Sequence, residues 1–495
     1  MAPDGHEFRV LDTHLVTPSS PDVPCSLPLT FFDVKWLHLP PVERVFFYRL
    51  PQDADADAIL SSLKASLSHT LRAFYPLAGH VRLVPGTSNR HELLYQPGDG
   101  VVFTTAEYDA GVDDLAASPD GGGDPVPVSR LSPLVPRLPE GRAVLAVQGT
   151  LLRCRRGLAV GVTVHHSACD GNSSMHFLRT WAAACAGEAS PPTPVIDRTL
   201  VPDPMGLYDT YLERMPPSVR RHDFEFVGKA GAGTTADEEK RLMATFTLSE
   251  EVLQTIRAGY ASARAPTAPS RCSSLVAACG FMWWCHSRAT PPQLSDNDNN
   301  NKTKKRRYFL LSVDHRARLD PPVPAGYFGN CLCPAIATAA QDELAGAGAG
   351  AGGGLYAACA AVAAAVEEEV GEGARGRWGV CMERVREAVV NGTLSVAGSP
   401  RFRVYDVDFG FGRPAKVDIV SVAKTGAISV AEARGSAGRG MEVGVSLPPP
   451  AMELCAVLAH TGHRIDCVNG LWAPTTAHGP SAIAHEQKSL LVFYD

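Results

Sequence analysis

Hydrophobic and polar positions along the chain follow two periods. Leu158, Val160, Val162 and Val164 alternate with smaller or polar residues, the period of a strand, and this stretch ends in His165-His166. Asp170 and Gly171 come next, then Asn172, Ser173 and Ser174, which can cap a helix continued by Met175, Phe177, Leu178 and Trp181. The pattern predicts a buried strand that gives way to a glycine turn and a helix start. An imidazole then stands at the joint, at the edge of a rigid sheet. The spacing H-x-x-x-D is common in a chain with 16 histidines. Its strand-turn-helix setting is what gives it weight.

The same reading extends along the chain. Phe31 to Leu37, Val45 to Leu50 and Ala78 to Leu83 read as strands, and Ile59, Leu60, Leu63, Leu67 and Leu71 mark a helix over Asp53 to Phe74. Pro119 to Pro127 is a loop, and Ala143 to Leu152 pairs with the 158–165 strand through the basic turn Arg153 to Gly157. From 188 to 238 no clear period is visible, and the segment reads as a long crossover. Beyond it Arg241 to Leu248 is a strand, Glu250 to Ala261 and Ser274 to His286 are helices, and Tyr308 to Val313 is a strand. Ser295 to Arg307 is a solvated polar insertion, and Ala345 to Gly354 is a Gly/Ala linker before a helix over 355–370. Phe402 to Asp408, Val417 to Val422, Ala427 to Ala433 and Met441 to Leu447 form a run of strands, closed by a short helix from Ala451 to Ala459.

Sheets and helices therefore mix without strict alternation, which predicts α+β layers rather than a doubly wound sheet. Four segments follow. Residues 1–187 form a domain carrying H-x-x-x-D, 188–238 a crossover, and 239–463 a second domain. Residues 464–495 carry no pattern.

Composition narrows the function classes. The chain has 495 residues, 45% hydrophobic and 20% charged, as ordinary globular domains do. A net charge of -6 argues against a nucleic-acid partner, which needs a basic face. The first residues lack a secretory pattern, and no apolar run approaches a membrane span. Thirteen cysteines, an odd number without paired C-x-x-C sets, fit reduced thiols in the cytosol. His165, His166 and Asp170 lack a fourth ligand, so no metal is expected.

Several stretches together resemble one family, the plant BAHD acyl-CoA-dependent acyltransferases. They are LTFFDVKWLHLPPVERVFFY, LSHTLRAFYPLAGHV at 67–81, HHSACDG at 165–171, SSLVAACGFMWWC at 273–285, VDHRARLDPPVPAGYFGNC at 313–331 and DFGFG at 408–412. The YFGNC stretch, Tyr327 to Cys331, is similar to the branch that acylates glycosides of anthocyanins and other flavonoids, often from malonyl-CoA. DFGFG departs from the family's DFGWG at Phe411.

The resemblance implies two similar sheet-plus-helix domains, like chloramphenicol acetyltransferase, with a solvent channel between them and His166 in mid-channel. It implies an enzyme with acyl-CoA as co-substrate and a small glycoside as acceptor, without a cofactor, acting as a cytoplasmic monomer.

The chemistry fits these residues. Acyl transfer to an alcohol needs a base, alignment and oxyanion donors. Imidazole, with an ordinary pKa of about 6.5, suits the base, which we assign to His166. By itself Asp170 also suits a dyad that orients the ring. The resemblance gives it a structural role instead, pairing with Arg316, or next with Arg318, in the second domain. His165 projects to the other side of its strand. Asp408 is a second catalytic candidate. The alternative for its motif is a turn in which Gly410 and Gly412 shape the channel, as Gly171 does after Asp170. Ser273 and Ser274 start a helix and could seat a CoA phosphate or serve as caps. Arg413 and Lys416 are weaker candidates, and Ser399 is a guess at the oxyanion donor. Malonyl transfer to a sugar hydroxyl is the leading reading. A hydroxycinnamoyl donor, or a catalytically silent relative that binds a small ligand, are the alternatives.

Overall fold

The computed structural model describes residues 7–19, 23–116, 124–140, 143–214, 240–290, 306–346, 353–435 and 440–461. The 464–495 segment lies outside the described residues, as do most of the 119–127 loop, the polar insertion, the Gly/Ala linker and the second half of the crossover.

Two mixed sheets dominate. The first runs, in spatial order, Phe8–Val16, Val101–Tyr108, Leu145–Leu152, Gly157–Val164, Val42–Arg49 and Lys416–Ile419. The second runs Leu332–Ala340, Arg306–Asp314, Thr393–Gly398, Ile428–Glu432, Met441–Leu447, Leu242–Leu248 and Val126–Pro127. A small third sheet joins Cys25–Pro28, His91–Tyr95 and His80–Leu83. Helices Ala56–Leu71 and Gly171–Ala186 bury Leu60, Leu63, Leu67, Phe177 and Trp181 against one face of the first sheet. Glu250–Ala263, Ser274–Ala289, Gly353–Val370 and Pro449–Thr461 cover the second. A third apolar cluster, with Val45, Phe47, Met243 and Ile419, lies where the two sheets meet. The class is α+β, as the mixed periods predict.

The sheets exchange strands. Lys416–Ile419, read from sequence among strands of the second domain, pairs with Val42–Arg49 in the first sheet, Lys416 opposite Phe47. Val126–Pro127 crosses the other way and pairs with Leu242–Leu248.

Three strand readings fail for local reasons. Phe31–Val34 is a helical turn. The Thr30 N–H and hydroxyl both donate to Asp33 Oδ2, at 2.9 and 2.7 Å, closing a capping box that the strand-like alternation of Phe32, Val34 and Trp36 with Asp33 and Lys35 conceals. Phe402 to Asp408 forms two 3-10 turns instead of a strand, and Arg403 between them has φ 49°. Pro400 cannot donate to a strand ladder, and the Ser399 hydroxyl caps the first turn. The strand that begins at Lys416 stops at Ile419, and Val422–Thr425 turns into a helix ended by Gly426 at φ 67°. The crossover is not patternless either, since it contains the Arg198–Leu200 turn and the helix Leu207–Arg214.

Candidate active site

A cavity of about 1780 Å³ lies between the sheets, lined from the first by Trp36, Arg44, His166 and Gly171 and from the second by Ser273, Leu310, Ser395 and Ser399. It is larger than the usual space for one small ligand and has room for a donor and an acceptor together.

The Gly157–Val164 strand is buried along its length, paired on both sides, and stops two residues short of His166. The imidazole emerges there onto the cavity wall. Trp36 stacks on it, with ring centroids 3.8 Å apart and planes at 10°. His166 Nδ1 is buried and makes no hydrogen bond of good geometry with the protein. Nε2 is then the nitrogen left for a bound hydroxyl. Burial lowers the His166 pKa below its ordinary value, while its own backbone carbonyl and the Asp170 charge pull the other way. The neutral, proton-accepting ring is the form favoured at neutral pH.

Asp170 faces away from that ring. Arg316 donates to it with both terminal nitrogens, Nη1 to Oδ2 at 2.8 Å and Nη2 to Oδ1 at 3.0 Å. The Ser173 and Cys331 backbone N–H groups complete its shell at 3.0 and 3.2 Å. No hydrogen bond joins Asp170 to His166 among the described residues. Both partners are buried, so the pair ties the start of the 171–186 helix to the segment after Asp314. Burial works against the Arg316 charge, but Asp170 and Asp314 more than restore it, raising its pKa. Arg318 donates to the Asp314 carbonyl and does not touch Asp170. His165 donates its backbone N–H to the Val144 carbonyl, and its ring Nδ1 meets the Ser167 hydroxyl at 2.7 Å. Among the described residues the metal-capable atoms of His165, His166 and Asp170 do not converge.

A second clamp, unseen in the sequence, holds the same loop from below. Asp33 Oδ1 accepts from the Asn330 backbone and side-chain N–H groups, at 3.1 and 2.9 Å, and Asn330 Nδ2 also donates to the His166 carbonyl at 2.9 Å. Arg198 lies 3.4 Å from Asp33 and donates to the Ala168 carbonyl at 3.3 Å. Asp33, Asn330 and Arg198 come from three distant segments. The Thr30-x-x-Asp33 spacing is a local capping signal that the strand reading passed over, whereas nothing local marks Arg198.

The remaining candidates separate. Gly171 lines the cavity, and a Cβ there would come within 2.6 Å of the Phe402 ring. Ser273 also lines it, but its hydroxyl accepts from the Val276 N–H at 3.2 Å, a helix cap, and Ser274 lies outside the lining. Ser399 is on the wall and caps the turn that follows. Asp408 is off the cavity. Its Oδ1 accepts from the Gly410 and Gly412 N–H groups, both at 2.9 Å, which favours the turn reading of its motif over a catalytic one. Gly410 and Gly412 have φ +96° and +107°, and a Cβ on Gly410 would meet Ala186 at 3.1 Å. The turn braces the far end of the 171–186 helix. Phe411 keeps an aromatic edge on Tyr48 at 5.0 Å. Arg413 and Lys416 are engaged by Asp406 and Asp418, at 3.3 and 3.2 Å.

A base on the wall of a cavity between two sheets suits a transferase that moves an already activated group between two bound substrates. Residues 7–456 match the Transferase family, and the chain belongs to it, as a BAHD acyl-CoA-dependent acyltransferase. It is 31% identical to phenolic glucoside malonyltransferase 1 of Arabidopsis thaliana, over 92% of this chain and 97% of that one. It is 28% identical to an Arabidopsis thaliana coumaroyl-CoA:anthocyanidin 3-O-glucoside-6''-O-coumaroyltransferase, over 93% and 99%. The crystal structure of vinorine synthase superposes with a TM-score of 0.63 at 21% identity, covering 90% of this chain and 96% of that one. Among the described residues no helix is long and apolar enough to cross a membrane.

Proposed function

We propose that this enzyme moves a malonyl group from CoA to a sugar hydroxyl of a flavonoid or phenolic glucoside, by direct transfer in a ternary complex. The observation that carries the chemistry is His166, a half-buried imidazole whose pKa burial lowers, facing a cavity with room for both substrates. The acceptor hydroxyl gives its proton to Nε2 as its oxygen attacks the thioester carbonyl. The tetrahedral intermediate collapses, the C–S bond breaks, and the thiolate of CoA takes the proton back from the imidazolium. No covalent enzyme intermediate is needed, because the thioester is already activated. Asp170 and Arg316 hold the loop that positions the ring, and neither handles the proton.

The relatives support the glucoside acceptor and leave two donors to choose between. A malonyltransferase acting on phenolic glucosides and a coumaroyltransferase acting on anthocyanidin glucosides both align with nearly the whole chain. Malonyl is favoured by a cationic side chain in the wall, Arg44, described below. Equal concentrations of malonyl-CoA and p-coumaroyl-CoA, offered with one flavonoid glucoside and read by product mass, test the donor. Malonylated product should exceed coumaroylated product by at least about tenfold, or about 1.4 kcal/mol of transition-state discrimination. Mostly coumaroylated product would overturn the donor and leave the acyltransferase reading intact. No CoA release with any acyl-CoA and a pool of glucosides would point to a silent binding protein.

A further inference from the structure

Three buried guanidinium groups lie around the His166 loop, and two of them have protein anions. Arg316 has Asp170 and Arg198 has Asp33. Arg44 has none. It lies in the Val42–Arg49 strand, paired with Val162 on one side and Ile419 on the other, so its backbone is fixed between two strands, one in from the edge of the sheet. It is 5% exposed. Its Nη1 donates to the Met175 thioether at 3.1 Å, a weak acceptor, and its Nε is buried without any partner. No salt bridge among the described residues includes it. Burial lowers its pKa to about 10, which still leaves it charged at neutral pH.

An uncompensated buried charge is costly, and such groups are normally paired. This one lies on the wall of the same cavity as His166, Gly171 and Asn172. In register, Val42 faces Val164, so Arg44 lies about 7 Å along the strand from that end of the sheet, within reach of an arginine side chain. The phosphates of CoA are strongly hydrated and suit exposed cations such as Arg318 and Arg401 on the cavity lining rather than an interior group.

We propose that Arg44 receives the free carboxylate of a dicarboxylic acyl donor, malonyl-CoA being the shortest. The inference rests on the acyltransferase reading and deepens it. A malonyl carboxylate stands one methylene from the thioester carbonyl, so with the carbonyl beside His166 the carboxylate stays close to the cavity wall that His166 and Arg44 share. The planar fork of arginine can bind both of its oxygens, where a lysine would offer a point charge. Specificity then comes from a protein cation that lacks an anion until the right acyl group arrives.

The test compares malonyl-CoA with acetyl-CoA, which lacks the carboxylate, on one phenolic glucoside. In Arg44→Gln the malonyl-to-acetyl ratio of kcat/KM should fall at least about tenfold, with Arg44→Lys between it and the natural enzyme. A parallel fall with both donors, or an unchanged ratio, would overturn the assignment. If Arg44→Gln does not fold, the unaltered enzyme still decides the matter by calorimetry. It should bind malonyl-CoA at least about tenfold more tightly than acetyl-CoA, and equal affinities would overturn the proposal. Good turnover of acetyl-CoA or p-coumaroyl-CoA with malonyl-CoA refused would refute the Arg44 assignment together with the malonyl donor and leave the acyltransferase reading intact. Absence of transfer from every acyl-CoA would refute the acyltransferase reading as well.

Discussion

Asp170→Asn separates a positioning carboxylate from a catalytic one. The substitution removes a charge whose two oxygens accept from Arg316 at 2.8 and 3.0 Å and from two backbone N–H groups. The amide keeps one oxygen and turns an NH2 group toward donors, so at least one buried donor loses its acceptor. Breaking one side of a buried pair costs about 3–5 kcal/mol. Arg316 keeps Asp314 at 3.1 Å and the Tyr327 and Gly329 carbonyls at 3.2 and 3.0 Å, which places the cost near the lower end, about 3 kcal/mol. A chain of this length unfolds with an entropy of about 1 kcal/mol/K, so the melting temperature should drop by about 3 °C. Turnover should fall with it, because the 165–170 loop carries His166. Adding Arg316→Met removes the stranded cation and should recover part of the stability, a coupling that a double-mutant cycle by thermal melting would read. An unchanged melting temperature with activity lost, and no coupling to Arg316, would refute the positioning role and favour a direct action of Asp170 on the ring.

His166→Ala should lower kcat at least about a hundredfold while circular dichroism and melting stay close to those of the natural chain; near-normal turnover would remove His166 as the base. The acid limb of kcat/KM should have an apparent pKa below the ordinary imidazole value of about 6.5, because burial favours the neutral ring. Stability should follow the same sign. His286, pushed down to about 4 by burial, takes up its proton in the unfolded chain first, so stability is full above about pH 6.5 and declines toward pH 4, as melting across that range would show. Gly171→Ala should cost about 1–3 kcal/mol and slow turnover, since the new Cβ meets Phe402, whose carbonyl Arg179 holds at 2.8 Å; a fully active, equally stable variant would mean that the ring moves freely.

Local sequence was enough for what depends on neighbours in the chain. The alternation through Val164, the histidine at the strand end and the helix start after it all appear in the structure, because a strand face and a helix start are decided within a few residues. The cap, however, is Asp170 itself, which accepts from the Ser173 N–H, and Asn172, Ser173 and Ser174 lie inside the first turn. The mixed periods likewise gave the α+β class. A stretch whose period points the wrong way was the weak point. In FFDVKWL, Phe32, Val34 and Trp36 alternate with Asp33 and Lys35 as in a strand, yet the segment starts as a capped helical turn, and its misreading hid Asp33 and Trp36. The charge partners were settled only by tertiary structure. Nothing near Arg198 says that it will meet Asp33, and nothing near Lys416 says that its strand will leave the second sheet for the first. Arg44 reads locally as a charged position, next to Glu43, at the start of an otherwise apolar strand run. Whether such a position faces water, a carboxylate or an empty cavity is decided by what folds over it, and in this chain that is the helix bearing Met175 and the cavity that His166 shares.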